Sequence, residues 1–126
     1  MTKPLGYYVD PDAAITALTE KYGEQLQHMP NAHKLLTLAI LTNTLLGTYS
    51  NPNYKIEDEI WNRLRHCEEI SEELQKSLLA LNDCTSKTLL SLIEAIVAQI
   101  RQLYLNDLRA NALTVMRAIR QHPPIQ

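Results

Sequence analysis

His28, His33, His66, Cys67 and Cys84 could on paper be assembled into a metal site. Metal sites in small proteins use spacings such as CxxC, HxxxH or HExxH, which bring ligands together on one turn or helix face. None of these spacings occurs. His66 and Cys67 are adjacent, so on a helix they point about 100° apart. Cys67 falls on an apolar stripe, where a buried thiol is the expected outcome. His28 and His33 flank a turn and read as solvated. No metal and no other cofactor is expected.

Catalytic patterns are equally sparse. There is no GxSxG, and three glycines in the whole chain cannot build a phosphate-cradling loop. Carboxylates do cluster at Glu57-Asp58-Glu59, Glu68-Glu69 and Glu72-Glu73. They sit on the polar sides of short helices, where solvation explains them. A carboxylate site inside a bundle would need inward-facing Glu residues and a Glu-x-x-His, and none occurs. A DNA-reading helix-turn-helix could be drawn through Asn82 to Thr85. Its second helix would begin "SKTLLSLIEAI", with one lysine and many leucines, which favours burial over base contacts.

The elements that must position these residues read as helices throughout. Strand signals are missing: there is no Phe, little Val and no lasting period-two alternation. The first helix starts at "DPD", with Asp10 as cap, Pro11 in the first turn and Asp12 near the positive end of the dipole. Gly23 weakens it, Gln25 to Met29 could add a turn, and Pro30 stops it. The second helix runs from a cap at Asn31, over about 32–46, to a stop at Gly47. Its leucines and isoleucine cover most of its circumference, so it is expected at the centre, buried on nearly every side. "TYSNPN" is the clearest loop. A third helix spans about Tyr54 to Glu68 with Ile56, Ile60, Leu64 and Cys67 as its stripe, and Glu59 pairs with Arg63 four residues on. Ser71 caps a fourth helix.

The last region, about 86–121, contains no Pro or Gly. Ile93, Val97, Ile100, Tyr104, Leu108, Ala112, Val115 and Ile119 follow at steps of three or four. As one helix it would be about 54 Å long, against about 35 Å for a globule of this size. Either it breaks at Asn106–Asp107, or it projects and needs a partner, most simply a second copy of the chain. His122-Pro123-Pro124 ends it.

The totals agree with one soluble domain, residues 1–126, with 1–10 as an extended arm and 122–126 as a tail. The chain is 45% apolar and 21% charged, ordinary for a folded protein. Net charge is −2, which removes the usual electrostatic case for nucleic acid. No signal peptide is visible, and the most apolar stretch, Leu35 to Leu46, is too short to cross a membrane. A cytoplasmic location with two free thiols is expected. Charge is nevertheless two-ended. Residues 54–75 carry three bases and seven acids (3 − 7 = −4), while 86–126 carry five bases and two acids (5 − 2 = +3). Tyr7, Tyr8, Tyr49 and Tyr54 lie in or beside loops, and tyrosine is favoured in interfaces.

The opening "KPLGYY", then "LTEKYGEQLQ" and "HKLLTLAILTNTLL", resembles a group of small uncharacterised all-helical proteins of cyanobacteria. The resemblance covers about the first third of the chain. It implies a cytoplasmic cyanobacterial protein and adds no functional residue.

The expectation is an all-α, single-domain bundle of five or six helices acting as a non-enzymatic adaptor or regulator through protein–protein contacts. A homodimer through the last helix is expected. The candidate surface is Tyr7, Tyr8, Tyr49, Tyr54, Arg101, Arg109, Arg117 and Arg120. The alternatives are a small DNA-binding transcriptional regulator, and a helical enzyme or carrier of a ligand such as a pigment, haem or lipid.

Overall fold

A computed structural model describes residues 3–8 and 12–121. Those residues form a short 3-10 turn, Leu5–Tyr7, and five α-helices: α1 (Ala13–Tyr22), α2 (Asn31–Ser50), α3 (Ile56–Arg65), α4 (Glu72–Leu79) and α5 (Ser86–Gln121). The fold is a small all-α bundle. Its broadest helix–helix contact is α2 against α5, followed by α2 against α3, so α2 is the hub. The C-terminal half of α2 meets the first turn of α5, where Thr44 and Thr48 face Thr85, Ser86 and Leu89 across a shared groove.

The N-terminal segment is a strap. Leu5 is wholly buried, and its amide donates to the Glu24 carbonyl at 2.7 Å. Burying one leucine contributes about 1.5–3 kcal/mol, enough to hold a short turn against the body. Residues 3–8 of the N-terminal arm are described, and within it Leu5–Tyr7 closes into the 3-10 turn. Asp10 and Pro11 lie outside the described residues, and the cap on α1 is Asp12, whose Oδ1 accepts from the Ile15 amide at 2.8 Å. Residues 25–29 do not extend α1. Gly23 at φ 92° and Leu26 at φ 51° take the chain into left-handed backbone that a helix cannot use. Leu26 is fully buried, which compensates for its conformation.

Helix α2 does not stop at Gly47. It runs on to Ser50, and the glycine lies against the Tyr54 ring, where an added Cβ would come within 2.3 Å of Tyr54 Cδ1. Nor is α2 buried on nearly every side. One face carries Ile40, Leu41 and Thr44 into the core, while Leu35, Leu46 and Tyr49 stand exposed on the opposite face. Cys67 is likewise not buried. It takes φ 65° just past α3, with the Glu68 amide closing back on the Arg63 carbonyl at 3.1 Å. That is the left-handed helix stop usually given to glycine, and it turns the thiol outward.

Ser71 caps α4, as its pattern predicts, by accepting from the Leu74 amide at 3.2 Å. Lys21 ties α1 to α4 through Glu73 and Ser77, both at 3.2 Å. This surface pairing adds little energy; the core residues Ile15, Leu18, Leu74 and Leu78 hold the two helices in the bundle.

Helix α5 is unbroken over 36 residues. Its packing face is Leu89, Leu92, Ala95, Ile96 and Gln99, not the stripe starting at Ile93 that the spacing suggests. Ile93 and Ile100 are only half-buried at its edge. Gln99 is 2% exposed, and among the described residues neither its amide atoms nor the buried Thr37 hydroxyl finds a hydrogen-bond partner. An unsatisfied buried polar group costs about 1–3 kcal/mol. Gln99→Leu is therefore expected to stabilise the protein by about 1–2 kcal/mol, read as a raised urea midpoint at unchanged slope. At Gly47, an added methyl must displace the Tyr54 ring. Gly47→Ala is expected to cost about 1–3 kcal/mol, read by thermal unfolding.

Candidate interaction surface

Beyond the body, α5 changes sides. The face buried at Leu92, Ile96 and Gln99 continues through Leu103 into Asn106, Ala110, Thr114 and Arg117. Those residues offer little to bury, and every residue from Tyr104 to Gln121 is exposed. Roughly half a turn round, at about 100° per residue, the opposite face becomes apolar. It carries Val97, Tyr104, Leu108, Val115 and Ile119, all exposed, with Arg101 and Ala112 between them. Leu105 and Met116 widen it, while exposed Leu113 lies round the other side, beside Ala110 and Arg117. Contiguous exposed apolar surface of this kind marks an interaction site.

The candidate residues do not form one patch. Tyr8 lies half-buried beside the first part of this stripe, in a groove of about 490 Å³ whose lining includes Lys3, Glu94, Val97, Arg101 and Leu105. Tyr7 is 63% exposed, stacks edge-on to Tyr8 at 5.1 Å and carries Lys3 over its ring at 3.9 Å. Arg101 thus shares a groove with Tyr8. Arg109 and Arg120 are exposed on the projecting half, on the flank of the apolar stripe, and Arg117 is exposed on the face opposite it. Tyr49 is 89% exposed on the outer face of α2. The residues of this face that sequence reasoning left out are Leu90, Leu105 and Met116, hidden because a single row of steps reports less than the full width of the face.

Tyr54 is corrected from an exposed contact to a structural residue. Its hydroxyl donates to Glu59 Oε1 at 2.9 Å, and its ring covers Gly47. Glu59 is buried; its other oxygen accepts from Arg63 Nε at 2.8 Å, and Arg63 also reaches Glu68 at 2.9 Å. The helix pair read from the sequence is therefore the centre of a four-residue chain joining the α2–α3 loop to the end of α3. Burial, and then the Glu59 carboxylate, push the Tyr54 phenol up to about 12. Elsewhere, burial pushes the Lys34 ammonium down.

Other chemistry finds little geometry. Among the described residues no group of three or more His, Cys, Asp or Glu is placed to hold a metal. The helix drawn as a DNA reader packs Leu89 and Leu92 into the body. By length and composition alone, α5 is the helix apolar enough to cross a bilayer, with mean hydropathy 1.2 over its best window, 28% of it buried in the body.

The arrangement defines a small helical bundle with one helix running out of it. In comparison with known proteins, the chain matches no family model, no curated protein and no solved structure.

An ultraviolet titration is expected to show Tyr54 ionising near pH 12. A folded pKa above the unfolded one contributes stability that is fully present below about pH 10 and lost as pH rises toward 12. Tyr54→Phe is expected to remove that part of the alkaline stability loss.

Proposed function

We propose that this protein is a non-enzymatic adaptor or regulator acting through protein–protein contacts, with the outward half of α5 as its contact element and a homodimer as its working form. The observation that carries this reading is the apolar face from Val97 to Ile119, which stands exposed among the described residues. Fully burying one such side chain is worth about 1.5–3 kcal/mol, so leaving several in water favours association. The two-ended charge supports the same reading by favouring specific encounter over indiscriminate sticking.

Sedimentation across a range of concentrations is the test. The wild type is expected to associate to a dimer. Leu108→Glu combined with Val115→Glu is expected to stay monomeric while keeping its helical circular dichroism, since neither side chain touches the core. A wild type that remains a monomer at the highest concentration would overturn the homodimer.

A further inference from the structure

The exposed stripe of α5 has a symmetry of its own. Its members are Val97, Arg101, Tyr104, Leu108, Ala112, Val115 and Ile119, at steps of four, three, four, four, three and four. The series reads the same in both directions from Leu108. We infer that a second copy of this chain lies antiparallel along the stripe, with the two-fold axis passing beside Leu108. This inference rests on the homodimer proposed above and adds its geometry.

A two-fold at Leu108 sets each residue level with a defined partner, because the paired numbers always sum to twice 108. Leu108 meets Leu108, Tyr104 meets Ala112, and Val97 meets Ile119. The large ring thus falls opposite the small methyl, twice. A parallel pair would set Tyr104 against Tyr104 and Arg101 against Arg101, stacking two like charges in the seam. The repeat is also eleven residues, since Val97, Leu108 and Ile119 are eleven apart. An eleven-residue repeat keeps close to the natural helical period, so the seam stays on one face.

The bodies fit this arrangement. Packing of α5 on its own body ends at about Leu103. The two-fold places the second body beyond residue 113, so the two are separated by about ten residues, or about 15 Å. The end of the partner helix then lies against the first body, where the groove beside Tyr8, Val97 and Arg101 is open to receive it. Glu94 stands in that groove and comes within about one turn of Arg120 of the second copy, on the same side of the seam. Among the described residues, neither is in an ion pair within its own chain. The contact from residue 97 to 119 is about 33 Å long. A stable specific interface buries at least about 1,200 Å² in total, so the groove walls take part along with the stripe.

The test is cysteine cross-linking in the full chain, with Cys67 and Cys84 replaced by serine. A disulfide needs the two Cα atoms within about 7 Å. Leu108→Cys alone is expected to give a covalent dimer on mild oxidation. Val97→Cys and Ile119→Cys are each expected to fail alone and to cross-link when mixed. All three positions are exposed, and circular dichroism checks that each variant folds. If Val97→Cys and Ile119→Cys each cross-link to themselves, the pair is parallel and the inference falls. A dimer by sedimentation without the Leu108 cross-link overturns the register and leaves the homodimer standing. A strict monomer, or a monomer that floats with lipid vesicles, overturns both and gives the stripe to another surface.

Discussion

The packing of α2 against the first half of α5 is the contact on which the rest of the bundle leans. Ile40, Leu41 and Thr44 on one side and Leu89, Leu92 and Ile96 on the other are nearly or wholly withdrawn from water. The shorter helices fill in around that pair. Ile15 and Leu18 of α1, Ile56 and Ile60 of α3, and Leu74 and Leu78 of α4 extend the same core, and Leu5 closes it from the N-terminal side. Domains of this size depend on one continuous core of this kind.

The same contact sets its own limit. A helix can stay on a body only while its inward face is apolar. In α5 that face already carries Gln99 and Leu103, and then turns polar at Asn106, Thr114 and Arg117. The apolar residues move to the far side at the point where the body ends. The projecting half follows from the change of face, not merely from helix length. Nothing in the sequence interrupts the backbone, since neither Pro nor Gly occurs between Ser86 and Gln121.

Local devices hold the hub in register. Tyr54 lies over Gly47 and reaches Glu59, which holds Arg63, which in turn reaches Glu68. This chain fixes where α2 ends and how α3 leaves it. It explains why a glycine stands inside a helix, where its freedom ordinarily costs stability. The strap at Leu5–Tyr7 fixes the position of Tyr8 beside the start of the outward stripe. The bundle and its outward face are thus joined through the same few contacts.

The sequence by itself determined the helical class, the order of the helices, the Ser71 cap and the Glu59–Arg63 pair, and left open whether the last helix breaks at Asn106–Asp107. Each depends on residues within one turn of one another, so local periodicity and capping chemistry are sufficient. Tertiary structure decided what needed a neighbour distant in sequence. Gly47 reads as a stop until Tyr54 packs on it, and Cys67 reads as core until its backbone turns left-handed and points it at water. Tyr54 reads as a loop contact until Glu59 takes its hydroxyl. The stripe on α5 reads as one row because spacing reports only that residues share a face, and not which face meets the body. That choice belongs to α2, whose own apolar residues select Leu89, Leu92 and Ile96 and leave Tyr104, Leu108, Val115 and Ile119 outside.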